Sequence, residues 1–113
     1  MPKYRDDVDA VLRALADPTR RAVVERLAAG PAIVSVLAEP FDMALPSLMQ
    51  HLGILEAAGI VTSEKVGRSR TVSLRPGGLD VLHLWLDGQR TPAERGADRL
   101  GIHLIRTASK ETP

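Results

Sequence analysis

The sequence predicts a mainly α-helical chain carrying one β-hairpin, an α+β organisation, on three observations. Apolar residues recur at helical spacing as far as residue 58, the period shortens to two between Ile60 and Arg75, and helical spacing returns on strongly apolar segments from Leu79 onward. A length of 113 residues suits one domain, so residues 1–113 are expected to fold as a single unit.

Tyr4, Val8, Val11, Leu12 and Leu15 fall on one face of a first helix at about residues 5–16, with Asp6, Asp7 and Asp9 in its first turn, where the helix dipole favours anions. A second helix opens at "ADPT", where Asp17 caps and Pro18 suits the first helical position, and stops before Gly30 and Pro31. Ile33, Val36 and Leu37 share a face that Phe41 continues, which predicts a short third helix over 32–39. The fourth runs from about Leu45 to Ala58, tolerates Pro46 in its first turn and ends at a left-handed Gly59. Two short helices joined by "PFDM" make a helix-turn-helix over about 32–58.

"IVTSEKV" and "RTVSLR", separated by "GRS", alternate β-branched with polar residues and predict a hairpin over about 60–75. "PGG" at 76–78 breaks it. "LDVLHLWL" then begins a helix apolar on most of its circumference, which something must cover. "DGQRTP" at 87–92 separates it from a last helix at about 93–108, whose Ala97, Leu100, Leu104 and Ala108 form a stripe opposite Arg99, His103, Arg106 and Lys110.

Composition narrows the function. Phe41, Trp85 and Tyr4 are the only aromatics, so the core is aliphatic and modest, a circumstance in which small domains gain buried area by pairing with a second copy. There is no cysteine, which excludes disulfides, thiolate nucleophiles and thiolate metal sites. The first residues lack the apolar run of a signal peptide and nothing approaches a membrane span, so a cytoplasmic protein without a membrane partner is expected. The net charge of +1 is unevenly spread. Residues 1–60 hold six Lys/Arg against eight Asp/Glu, residues 61–76 four against one, and the remainder five against five. Positive charge is thus concentrated on the hairpin, although "EKVGRSRTVSLR" by itself is also compatible with an ordinary solvated loop.

Helix, capped helix, helix-turn-helix, basic hairpin and apolar terminal helices, in that order, describe a winged helix-turn-helix with dimerising ends at about 79–108. The chain resembles the ArsR-type bacterial transcriptional repressors, in a branch without cysteine metal ligands. The likeness lies in "LADPTRRAVVERL" (15–27), "LAEPFDMALPSLMQHLGILEAAGIV" (37–61) and "EKVGRSRTVSL" (64–74). It implies a homodimer that binds an inverted repeat in double-stranded DNA, with recognition helices roughly 34–36 Å apart or a multiple of that.

A helix packed through Leu48, Leu52 and Leu55 would offer its leading turn and opposite side to base edges in the major groove. Ser47, Gln50 and His51 are the candidate readers. Gln bonds adenine bidentately, Ser pairs with several edges, His donates to a base or a phosphate, and Leu45 would meet thymine methyl groups or simply pack. Lys65, Arg68 and Arg70 stand where the resemblance puts a wing on the phosphate backbone or an adjacent minor groove, and Arg20 and Arg21 where the second helix approaches the backbone, with solvent-exposed arginines the alternative for these two. The dimer interface is expected to use Val8, Leu12, Leu82, Trp85, Leu100 and Leu104, with core burial the alternative for Trp85.

Two departures from the family pattern matter. Ile33 and Ala44 stand where relatives carry a capping Ser or Thr, a loss of about 0.5–2 kcal/mol per helix, and Met49 replaces a small polar residue and is expected to pack.

Three alternatives compete with this reading. Metal sensing through helix three is closed, because "PAIVSVLAEP" offers only Glu39 as a ligand; Asp80, His83 and Asp87 share a face that His103 of a second subunit would complete, yet the spacing does not match the family's terminal-helix signature. No local spacing suggests a nucleophile, paired carboxylates or a phosphate loop, so no enzyme and no cofactor are expected, and the existence of an effector is left open. A protein-interaction module would instead use Leu45, Met49 and Val36 as an apolar patch, but would not need three cations beside them.

Overall fold

The computed structural model describes residues 3–97. Its elements are α1 (Lys3–Leu15), α2 (Pro18–Leu27), β1 (Ala32–Ile33), α3 (Val34–Ala38), α4 (Leu45–Ala57), β2 (Val61–Val66), β3 (Ser69–Leu74), α5 (Asp80–Gly88) and α6 (Pro92–Ala97). The order is that of a winged helix-turn-helix: mainly α, with a small antiparallel sheet. Two compact units divide at His83 and Leu84.

In the first unit every element contributes to one aliphatic core. Val11 and Ala14 of α1, Val23 and Leu27 of α2, Leu37 of α3, Leu48, Leu52 and Leu55 of α4, and Ala32, Ile60, Val61 and Val72 around the sheet are all buried together. No polar or charged residue is buried among the described residues, so burial here is driven by apolar area alone. Leu48 and Leu55 are completely inaccessible, which locks the rotation of α4 about its axis and so determines which residues it leaves outside.

The helix ends follow local chemistry. Asp17 caps α2 in an extended conformation, and Pro18 takes the first helical position. Helix α4 ends in a Schellman arrangement: the Gly59 amide donates to Glu56 and the Ile60 amide to Leu55, at 3.0 Å each, with Gly59 at φ +78°. That reversal sends the chain straight into β2.

One expected element differs. Residues 32 and 33, assigned to the third helix, form instead a two-residue strand whose Ala32 pairs with Val72 and Ile33 with Thr71. The sheet order is β1-β3-β2, and α3 is correspondingly reduced to five residues. The reason is tertiary: pairing with the inner strand of the hairpin satisfies backbone groups that a first helical turn, lacking a capping side chain at Ile33, would leave open.

The second unit is described as far as Ala97 and holds the end of α5 and α6. Helix α6 is N-capped by Thr91, whose Oγ1 accepts the Glu94 amide at 3.2 Å while its hydroxyl donates to Glu94 Oε1 at 3.0 Å. The remainder of the expected last helix, with Leu100, His103 and Leu104, lies outside the described residues. No helix among the described residues is long and apolar enough to cross a membrane.

Candidate nucleic-acid interface

Helix α4 buries Leu48, Leu52 and Leu55 and leaves Ser47 and Gln50 exposed, with no side-chain hydrogen bond to either among the described residues. Leu45 is 53% exposed and Met49 39%. The leading turn therefore carries two unengaged polar side chains and two uncovered apolar ones. Ala44 provides no side-chain cap. The shortfall is softened because Pro46 has no N–H and the Ser47 amide reaches the Ala44 carbonyl at 3.0 Å.

His51 has a different set of contacts. Its ring is half-buried, with Nδ1 3.2 Å from a guanidinium nitrogen of Arg20 and 3.8 Å from Asp17 Oδ2. An arginine only donates, so in the neutral ring Nδ1 accepts and the proton sits on Nε2, which has no protein partner among the described residues. His51 thus ties α4 to the start of α2.

Arg20 and Arg21 are occupied by the end of α1. Arg20 Nε donates to the Ala14 carbonyl at 2.6 Å and a terminal nitrogen to Arg13 at 3.1 Å, while Arg21 donates to Leu15 at 2.8 Å. These are carbonyls of the last turn, at the negative end of the helix dipole, and that of Arg13 also accepts the Ala16 amide at 3.2 Å. Asp17 completes the group. Its carboxylate accepts the Arg20 amide at 2.9 Å, and that bond, aided by the charges of His51 and Arg20 and opposed by desolvation, holds its pKa below the usual 3.8.

The wing is β2 and β3 joined by the two-residue turn Gly67–Arg68, with Gly67 at φ +61°. Alternation puts Arg70, Val72 and Leu74 on one face, and register sets Lys65 opposite Arg70 and Ser63 opposite Val72. Arg70 therefore lies on the face that carries the core residue Val72, and donates diagonally to Ser63 Oγ at 2.9 Å. Lys65 and Arg68 are exposed. Among the described residues Asp17 faces His51 and Asp87 pairs with Arg90, and none of the three wing cations is neutralised by an acid. Lys65 and Arg70 are like charges directly across a strand pair, an arrangement that costs stability in the free protein.

Ser63 is the residue sequence reasoning missed at this site. Its signal was present, since once the strands are paired Ser63 falls on the face of Arg70.

The expected interface residues are placed as follows. Val8 is 3% exposed and already covered within the chain, whereas Leu12 is 42% exposed on α1. Leu82 packs partly against the core, and Leu84, Trp85 and Leu86 on the following turn are 60%, 37% and 52% exposed. Of the metal candidates, Asp80, His83 and Asp87 are all exposed, Asp87 pairs with Arg90 at 3.7 Å, and no group of three or more ligating side chains is assembled among the described residues. His103 lies outside them.

Comparison with known proteins agrees with this geometry. A helix-turn-helix domain model matches residues 15–64. The HTH-type transcriptional regulator Rv2034 of Mycobacterium tuberculosis is 42% identical over 100 residues, spanning 88% of this chain and 92% of that one. The HTH-type transcriptional repressor SmtB of the same organism is 39% identical over 89 residues, 76% of this chain and 64% of its own length. Among solved structures, the ArsR family transcriptional regulator RHA00566 superposes with a TM-score of 0.73 at 47% identity, covering 79% of this chain and 92% of that one. The homodimeric winged helix-turn-helix DNA-binding domain of Mb0332 from Mycobacterium bovis gives 0.60 at 28% identity, covering 74% and 76%. With a relative this similar over nearly its whole length and a fold to match, the chain belongs to the ArsR family of helix-turn-helix transcriptional regulators.

Proposed function

We propose that this regulator reads double-stranded DNA as a homodimer and represses transcription from an inverted-repeat operator. The observation that carries the reading is the juxtaposition at the wing: of three cations with no acidic partner among the described residues, Arg68 and Arg70 stand beside Leu45 and Met49 of α4. Opposed like charges at Lys65 and Arg70 are tolerable where a phosphate backbone neutralises them, with release of counterions.

In this reading Ser47 and Gln50 meet base edges, Leu45 meets a thymine methyl, and His51 donates through Nε2 while its other nitrogen is held by Arg20. Lys65, Arg68 and Arg70 hold the backbone. Arg20 and Arg21, whose nitrogens serve α1, contribute fixed positive charge near the helix end more than a fork on a phosphate. The homodimeric relative and the exposed Leu12, Leu84, Trp85 and Leu86 support pairing through α1 and the terminal helices, to which Leu100 and Leu104 would add. The role is binding, with no catalytic step, and it is exercised in the cytoplasm where the genome lies.

A second reading, a protein-interaction module, is favoured by the exposed Val36, Leu45 and Met49. Selection of binding sites from random duplexes across a salt series separates the two. Enrichment of a palindromic site with an affinity that falls as salt rises supports DNA reading; no affinity even at low ionic strength overturns it and favours the module.

A further inference from the structure

Beside the reading helix lies a groove of about 490 Å³, walled by Ile33 and Val34 at the start of the helix-turn-helix, Ala38 at the end of α3, and Leu45 and Met49 on α4. Its volume is within the roughly 300–1,000 Å³ range of small-molecule sites, which are mostly apolar with a few placed polar groups. Here the placed groups are cationic. Arg68 and Arg70 line the same groove from the wing, the first with no hydrogen bond or ion pair among the described residues and the second held only by the neutral Ser63 hydroxyl.

DNA alone does not account for this lining. Specific protein–DNA interfaces are polar and strongly positive. Phosphates would satisfy the two guanidinium groups and a thymine methyl would cover Leu45, which leaves Ile33 and Met49 without a DNA partner although they expose 37% and 39% of their surface. An apolar wall closed on one side by two unneutralised cations is complementary to a molecule with an apolar body and a single negative end.

We propose that this groove binds a small amphipathic carboxylate, which acts as the effector that releases DNA. The carboxylate pairs with Arg68 and Arg70, and the apolar body lies over Ile33, Val34, Ala38 and Met49. Release follows from mutual exclusion: the ligand takes two wing cations that the operator needs and fills the space beside Leu45 on the leading turn. By linkage, bound duplex must weaken the ligand to the same degree. The effector role rests on the DNA-reading proposal above, whereas binding to the groove does not.

Octanoate is the probe, with octanol as the body lacking charge and acetate as the charge lacking body. Titrated into the full chain without DNA, octanoate is expected to perturb amide signals of Ala38, Met49 and Ser69, and octanol and acetate to bind at least about tenfold more weakly. Added to the preformed duplex complex, octanoate is expected to lower the fluorescence anisotropy of a labelled operator. Two variants narrow the groove: Ala38→Leu from its half-buried wall, and Ser35→Leu from an exposed position whose substitution does not threaten folding. Both are expected to lose octanoate binding and to keep duplex bound in its presence. The site is overturned if octanoate fails to bind the free chain, if octanol or acetate binds as well, or if both variants bind like the parent. Octanoate bound in the groove without displacing duplex overturns the effector role, and failure of the untreated chain to bind any duplex sinks the DNA reading itself.

Discussion

Asp17 accepts the amide of Arg20, opening α2, and faces the ring of His51 across 3.8 Å, so one carboxylate links the start of α2 to α4. Asp17→Ala should destabilise the fold by about 0.5–2 kcal/mol, the usual cost of a lost N-cap, in denaturant titration. Because its pKa is lowered on folding, the cap stabilises at pH above the unfolded value near 3.8, and that contribution is lost as pH falls through the folded value beneath it. The parent's stability should therefore decline below about pH 4 more steeply than that of Asp17→Asn, whose amide oxygen still caps but does not titrate. Gln50 belongs to the same scale with the opposite character, since no side-chain hydrogen bond engages it among the described residues. Gln50→Ala should leave stability unchanged and relax preference at one position per half-site, at about 1–3 kcal/mol for a lost bidentate pair. Equal loss on every sequence would make it a backbone contact.

At the scale of elements, what the sequence disclosed and what it hid have distinct physical causes. Helix α4 was legible because Leu48, Leu52 and Leu55 obey the helical period and Gly59 marks the stop, and the wing because Val72 and Leu74 alternate with polar neighbours. Strand β1 was hidden because two residues cannot display a period; Ala32 and Ile33 are strand only through Val72 and Thr71, some forty positions away. The bond between His51 and Arg20 spans 31 residues and left no local trace. The occupation of Arg20 and Arg21 by α1 had a trace, the short link through Ala16 and Asp17, which brings the first turn of α2 beside the carbonyl end of α1. The uncapped start of α4, evident at Ala44 from sequence, is present in the structure. Ala44→Ser should stabilise the chain by about 0.5 kcal/mol, the low end for a cap, because Pro46 has no amide to receive and the Ser47 amide is already partnered. No gain in thermal midpoint would mean that backbone contacts already satisfy that turn.

For the whole molecule, family membership and fold supply the frame, and charge and exposure supply the function proposed on it. Leu84, Trp85 and Leu86 present exposed apolar surface on one turn of α5. Leu84→Glu should therefore shift sedimentation from dimer to monomer while leaving helical content intact, and a variant that stays dimeric would place the interface elsewhere. Two-fold pairing of the kind proposed would double the wing, and with it the electrostatic share of binding.

The slope of log affinity against log salt concentration for an operator duplex tests the central claim most directly, compared between the parent and the double variant Arg68→Ala with Arg70→Ala. Each phosphate contact contributes about 0.9 to the slope, so removing two cations per subunit should flatten it markedly and weaken binding to specific and random duplexes alike. An unchanged slope would contradict the account, because the wing would then not be holding DNA.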